Sequence, residues 1–135
     1  MLVYYYFYKL KILLIFMAKE ERSLHRRALE VLRLHPEIIG LQKKEVLTSS
    51  VEVALFKRGS FYTSVDLIYW LKSRKVVIVE YKSNGEKNLK ERGEGQLEKS
   101  VDFYQKEICV PAEGRLITGD SYPILRNKLP TKKIK

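Results

Sequence analysis

The chain has 135 residues, 45% of them hydrophobic, and a formal net charge of +10, which suits one globular domain with a single core. A lone cysteine, Cys109, excludes an intrachain disulfide, and two histidines beside one cysteine argue against a structural zinc site. The positive charge favours a polyanionic partner, with nucleic acid first and an acidic membrane surface second. The cysteine content agrees with a reducing compartment, so we expect a cytoplasmic protein.

The N-terminal residues 1–16 form an apolar and aromatic run that differs from the rest of the chain. The run is shorter than a transmembrane helix requires and lacks the basic start and the cleavage site of a signal peptide. Met17 begins a stretch that reads like a natural protein start, so we interpret the preceding segment as an upstream translation. A membrane-surface anchor and an added strand are the alternatives. Residues 17–125 are predicted to form one domain, and residues 126–135 a basic tail suited to phosphate contacts.

The first predicted element is a helix from Lys19 to His35, which Pro36 ends. Its apolar face is predicted from residues that recur at spacings of three and four. These residues are Leu24, Ala28, Val31 and His35. The next predicted elements are antiparallel strands: residues 51–57 alternate as a strand does, and residues 58–60 form a turn. Residues 42–48 are ambiguous and fit an irregular strand.

Two apolar runs joined by a short polar break make up residues 65–82. Both runs are rich in β-branched and aromatic residues, and each has the length of a strand, so they predict a β-hairpin. The break at residues 72–74 predicts a three-residue turn. That turn places Leu71 opposite Lys75 and fixes the register of the hairpin.

In this register Asp66 lies opposite Glu80, and Lys82 projects from the same face of the sheet. Opposed carboxylates in a buried sheet repel each other unless a positive charge lies between them. Mg²⁺ prefers oxygen ligands, so a metal site is the favoured interpretation, with Lys82 beside a substrate phosphate or a metal-bound hydroxide. The alternative is a salt bridge from Lys82 to one carboxylate, without a metal. The other face is predicted to carry apolar pairs: Tyr69 with Val77, Leu67 with Val79, and Val65 with Tyr81.

The C-terminal half begins with a polar, glycine-rich stretch, residues 83–95, which predicts a mobile loop able to cover the site. A helix is predicted over residues 96–109, with Gln96 in its first turn. Its apolar stripe is predicted to contain Leu97, Val101, Tyr104 and Ile108. Residues 115–118 predict a short strand that returns parallel to the second strand of the hairpin.

The order of these elements and motifs resembles the PD-(D/E)xK nuclease superfamily. Asp66 matches the aspartate of the motif, although Val65 stands where the motif's name has proline. Glu80–Lys82 matches the (D/E)xK element, and Gly95–Leu97 resembles the glutamine motif of the RecB-like branch. Within the superfamily, the chain is most similar to the catalytic domain of archaeal NucS-type endonucleases, over about residues 20–120.

The resemblance implies an α/β, restriction-endonuclease-like core, with a helix, three antiparallel strands, a helix and a parallel strand around a central mixed sheet. It also implies endonuclease-type hydrolysis of DNA phosphodiester bonds with Mg²⁺ or Mn²⁺ as cofactor. Asp66, Glu80 and the backbone carbonyl of Tyr81 would bind the metal. Lys82 would orient the hydroxide or stabilise the transition state, and Gln96 would position Lys82 or the scissile phosphate.

The sequence departs from the family pattern on the first helix, where His25 stands in place of an acidic metal ligand. Glu21 lies near the apolar face and is the candidate substitute, although it also fits a plain N-terminal helix charge. If no acid is in place, the chain is a weakened or inactive member that only binds nucleic acid. A peripheral membrane protein, based on residues 1–16 and the basic surface, is the second alternative.

Basic side chains near the motifs are candidates for contacts with the DNA backbone. They are Arg58, Arg74, Lys75, Lys87, Lys90 and Arg92. Tyr62 and Trp70 are candidates for stacking on bases, with core packing preferred for Trp70. The small size of the chain favours a homodimer, with one active site for each DNA strand.

Overall fold

The computed structural model describes residues 11, 19 and 22–126. The α-helices and strands are α1 (described over residues 22–34), β1 (Val46–Lys57), β2 (Ser60–Leu71), β3 (Val76–Lys82), α2 (Lys87–Lys106) and β4 (Ala112–Thr118); short 3-10 helices span Pro36–Ile39, Lys43–Glu45 and Pro123–Leu125. Within the described residues the strands form one mixed sheet in the order β1-β2-β3-β4. The first three strands are antiparallel, and β4 is parallel to β3. The predicted α/β class and order of elements are confirmed.

The hairpin between β2 and β3 has the predicted register. Its pairs run from Trp70 opposite Val76 to Leu67 opposite Val79. The amide of Leu71 donates to the carbonyl of Lys75 at 2.9 Å, which closes the three-residue turn. Arg74, the last turn residue, has φ +71, the left-handed conformation that such loops require. Local turn geometry therefore fixes the register on which the site depends.

The sheet has a hydrophobic core on each face. One core joins α1 to residues of β2 and β3, and its largest members include Leu29, Leu32, Leu67, Tyr69, Val77 and Val79. The other core joins α2 to the opposite face, through Ile68, Val76, Ile78, Leu97, Phe103 and Tyr104. Trp70 packs edge to face on Tyr104, with ring centroids 5.9 Å apart, as expected for a core residue. The central strands are therefore covered on both sides.

The apolar face of α1 differs from the prediction. Leu24 is exposed, whereas Ala28, Leu29 and Leu32 are fully buried. The hydroxyl of Tyr69 donates to the carbonyl of Leu32 and ties α1 to the sheet. Among the described residues of α1, the fully buried apolar contacts with the sheet thus begin at Ala28.

Strand β2 bends at Asp66, where it separates from β3. The pairing of the two strands ends at Leu67, so the predicted pairs of Asp66 with Glu80 and of Val65 with Tyr81 do not form. Val65 packs in the α2 core and Tyr81 in the α1 core, so the predicted alternation fails at this point. In the neighbouring strand Glu52 has φ +52, which interrupts the regular pleat of β1 at the same level.

Beyond this bend, residues 53–65 of β1 and β2 form a two-stranded extension that we call the β-arm. The arm folds over α2: the ring of Tyr62 stacks on Phe103, with centroids 6.2 Å apart. Lys57 forms an ion pair with Glu107, just beyond the end of α2, at 3.6 Å. The ambiguous range, residues 42–48, falls into two parts. Lys43–Glu45 form a 3-10 helix, and β1 begins at Val46.

Helix α2 corrects the prediction of a mobile loop, because it begins at Lys87 instead of Gln96. Three glycines and many charges made residues 83–95 look irregular, since glycine disfavours helices. Gly93 is nevertheless buried on the inner face of α2. A Cβ atom at this position would lie 2.6 Å from Cδ1 of Leu116. A larger residue would have to push the end of the Leu116 side chain aside, so glycine favours the close approach of α2 to β4, and this packing stabilises a helix that local propensity does not favour.

The terminal predictions lie mostly outside the described residues. These include the apolar run of residues 1–16 apart from Lys11, the candidate ligand Glu21, and the basic tail after Arg126. Among the residues that the structure describes, no helix is long and apolar enough to cross a membrane.

Candidate active site

The two carboxylates singled out from the sequence lie together at the fork between β2 and β3. The amide of Asp66 donates to Oε1 of Glu80 at 3.3 Å, and the amide of Tyr81 donates to Oδ2 of Asp66 at 2.8 Å. The second bond satisfies an amide that loses its strand partner where β2 bends away. The bend thus brings Asp66 into the fork, against the end of β3.

Glu80 is only 1% exposed, and its charge is poorly compensated. Burial and the neighbouring charge of Asp66 raise the pKa of Glu80 to about 8. Burial alone would also raise the pKa of Asp66, but hydrogen bonds to His25 and from the Tyr81 amide outweigh it and lower that pKa. At neutral pH the pair therefore carries one negative charge, on Asp66, while Glu80 keeps its proton.

His25 of α1 reaches the same carboxylate pair. Its Nε2 lies 3.5 Å from Oδ1 of Asp66, and its ring lies 5.6 Å from the ring of Tyr81, centroid to centroid. The residue that departs from the family pattern is therefore in contact with the site. Imidazole can supply a positive charge to Asp66 when protonated, or a nitrogen ligand to a metal when neutral.

Lys82 lies one pleat beyond Glu80 and binds a side chain of α2. Its Nζ donates to Oε1 of Gln96 at 3.1 Å. No ion pair within 4 Å joins this ammonium to Asp66 or Glu80, so the salt-bridge alternative does not describe this site. Gln96 lies well inside α2 and not in its first turn, which corrects the prediction that it lies near the N-terminal helix dipole.

Gly93 is the residue of this site that the sequence reasoning missed. A Cβ atom there would lie 3.3 Å from Cε of Lys82, so the lysine side chain would have to shift on its course to Gln96. The available signal was spacing: Gly93 precedes Leu97 by one helical turn, in phase with the buried positions of α2.

The donor set of the site suits a hard divalent cation. Among the described residues, no group of three or more His, Cys, Asp and Glu side chains is arranged to hold a metal ion. Mg²⁺ commonly binds through one or two carboxylates and completes its shell with water, so Asp66 and Glu80 meet this lower requirement. A cation between them would supply the charge that the buried pair lacks. The predicted contribution of the Tyr81 carbonyl stays a prediction.

The candidate DNA-contacting residues fall in two groups. Lys87, Lys90 and Arg92 are exposed on the first turns of α2, close in sequence to Lys82. The other three lie away from the site. Lys75 precedes β3, about 23 Å from Lys82 along the strand. Arg74 is in the adjoining turn, and Arg58 is at the tip of the β-arm.

Comparison of the chain with models of protein families, with curated proteins and with solved structures gives no match.

Proposed function

We propose that this protein is a metal-dependent deoxyribonuclease of the PD-(D/E)xK superfamily, with a restriction-endonuclease-like core similar to that of archaeal NucS-type endonucleases. The observation that carries the proposal is the buried pair Asp66 and Glu80 at the fork of two strands. The position of Lys82, which is held by Gln96 beside this pair, also supports it. Stability alone does not explain two carboxylates in contact without a cationic bridge between them.

In the proposed reaction Asp66 and Glu80 would hold Mg²⁺ or Mn²⁺ together with the carbonyl of Tyr81. When bound, the metal would lower the pKa of a water ligand and neutralise charge on the phosphate. Glu80 would have to give up its proton to act as a ligand, because burial and Asp66 raise its pKa to about 8. Lys82 orients the attacking hydroxide or stabilises the charge of the transition state, and Gln96 keeps the ammonium in place.

A nucleic-acid-binding protein without catalysis is the second candidate. The contact of His25 with Asp66 favours it, because the histidine takes the position where the family has an acidic ligand. In that case the positive charge of the chain would still bind the DNA backbone, with a strong salt dependence.

Cleavage assays distinguish the two candidates. The full chain is incubated with duplex, single-stranded, flap and junction DNA in Mg²⁺ or Mn²⁺. We expect nicking or cutting that EDTA abolishes and that is lost in Glu80→Ala and in Lys82→Ala. Glu113→Gln is the matched control, because Glu113 is a partly exposed carboxylate that binds Lys75 and Arg115 away from the site. Binding without cleavage of any of these substrates would leave only the second candidate.

The proposal extends to the setting of the protein. A homodimer would present one active site to each DNA strand, and a reducing compartment such as the cytoplasm suits the exposed free thiol of Cys109. Sedimentation of the full chain tests whether it forms a homodimer. The membrane alternative depends on residues 1–16, and liposome flotation tests it.

A further inference from the structure

The tip of the β-arm carries two exposed phenylalanines. Phe56 and Phe61 are cross-strand partners that are 57% and 62% exposed, with ring centroids 6.1 Å apart in an edge-to-face arrangement. The adjacent Tyr62 packs on α2, so Phe61 projects from the other face of the arm. Exposed aromatic rings side by side are unfavourable in water and mark a binding surface.

The turn between the two rings adds a fixed positive charge. Arg58 and Gly59 have φ +51 and +80, the conformation of a two-residue hairpin turn in which asparagine or aspartate usually precedes glycine. Arg58 takes this position in spite of the backbone strain, and its side chain is exposed. Strain at an exposed cation is consistent with a role in binding.

A basic path connects this tip with the candidate active site. Gln96 binds Lys82, and Lys99 lies one turn further along α2, so both are near one face of the helix. The ammonium of Lys99 lies 4.9 Å from the ring centroid of Tyr62, and that of Lys57 lies 4.4 Å from the same centroid. Because Lys57 is also paired with Glu107, the positive charge beside Tyr62 comes mainly from Lys99.

The flank of α2 next to β4 is acidic. Glu94, Glu98 and Asp102 follow one another at intervals of four residues and line a cleft of about 420 Å³ between α2 and Gly114 of β4. Carboxylates in this arrangement repel a polyanion. A nucleic acid that leaves the active site along α2 is therefore favoured on the side of Lys99 and the β-arm.

We propose that Phe56, Arg58 and Phe61 bind unpaired nucleotides of the DNA whose scissile phosphate lies at the carboxylate pair. This inference rests on the proposed function and specifies its substrate class. The Lys57–Glu107 ion pair holds the arm at the C-terminal end of α2. This end is about 16 Å beyond Gln96, because the helix rises 1.5 Å per residue. At about 3.4 Å for each step of paired DNA between the two sites, the tip reaches unpaired bases roughly five steps from the cut. Unpaired bases expose the faces on which phenylalanine stacks, whereas paired bases in a duplex do not.

Binding in EDTA tests the inference without cleavage. Fluorescence anisotropy of the full chain is measured with a labelled single strand and with the fully paired duplex. We expect Phe56→Ala and Phe61→Ala to weaken single-strand binding about 5- to 100-fold and to leave duplex binding nearly unchanged. Leu47→Ala is the matched control, because Leu47 is 67% exposed near the other end of β1. Far-UV circular dichroism confirms that each variant is folded.

Cleavage mapping gives the second readout. The wild type is incubated with a set of duplexes that carry a two-nucleotide bulge at successive positions. We expect the position of the cut to move with the bulge, at a fixed spacing of about five steps. In Phe61→Ala the position of the cut should no longer depend on the position of the bulge.

The outcomes separate the two proposals. Equal single-strand affinity of wild type and phenylalanine variants overturns the inference, while cleavage that depends on Glu80 still supports the nuclease. A change in sedimentation with unchanged DNA binding also overturns it, because the tip is then a contact between copies of the chain. Phenylalanine-dependent binding without any cleavage supports the inference and rejects the nuclease. Failure to bind any DNA rejects both.

Discussion

Glu80→Gln is expected to make the protein more stable, and increasingly so as the pH rises. Glutamine has the shape of a protonated glutamate, so it keeps the acceptor for the Asp66 amide and adds a donor for the Asp66 carboxylate. It removes the ionisation that burial and Asp66 disfavour. The carboxylate at this position is therefore a cost to the fold, which is common where function needs a charged group.

The magnitude follows from the pKa of Glu80, which is about 8 in the folded protein and 4.5 in the unfolded chain. Because the folded pKa is raised, the wild type loses stability as the pH rises from 4.5 to 8, and the loss is complete above 8. The full separation corresponds to about 5 kcal/mol, at 1.36 kcal/mol for each pKa unit. The lowered pKa of Asp66 offsets part of this, so we expect Glu80→Gln to stabilise the protein by about 1–3 kcal/mol at pH 8.5 and by little at pH 4.5.

Guanidinium denaturation at pH 4.5, 6.5 and 8.5 in EDTA measures this difference, with the fluorescence of Trp70 as the probe. Glu113→Gln is the control of opposite sign, because its ion pairs lower the pKa of Glu113 and their loss destabilises slightly at neutral pH. Destabilisation by Glu80→Gln at pH 8.5, or an effect that does not change with pH, would refute the assignment of a buried and uncompensated carboxylate.

Three further substitutions test other parts of the structure. Gly93→Ala should displace Leu116 and Lys82, because its Cβ atom would lie 2.6 Å from Cδ1 of Leu116 and 3.3 Å from Cε of Lys82. We expect kcat to fall by roughly tenfold or more with unchanged metal affinity. A kcat equal to that of the wild type would contradict the role of this glycine. Arg74→Gly should raise the free energy of unfolding by about 1 kcal/mol, since φ +71 strains arginine, and thermal melting measures this change. His25→Glu should restore an acidic ligand and lower the Mg²⁺ concentration for half-maximal cleavage roughly tenfold, whereas His25→Gln, its uncharged counterpart, should not.

The sequence by itself determined the hairpin on which the site is built. The polar break at residues 72–74 allows a three-residue turn, and the apolar runs on both sides tolerate only one alignment with that turn. These local rules bring Asp66 and Glu80 close together, although the strand pairing itself ends one residue short of them, at Leu67. The strand order also follows from local patterns, because each strand is a distinct apolar run bounded by turn residues.

The tertiary structure decided what surrounds the hairpin. Residues 87–95 become helical because Gly93 allows α2 to approach β4, and this packing outweighs a local preference for irregular structure. The bend of β2 brings Asp66 out of the regular pleat and into contact with His25, forty-one residues earlier in the chain. No local pattern specifies a contact at that separation. The sequence thus determined which carboxylates come together, whereas packing of the two helices decided how deeply they are buried and which side chains touch them.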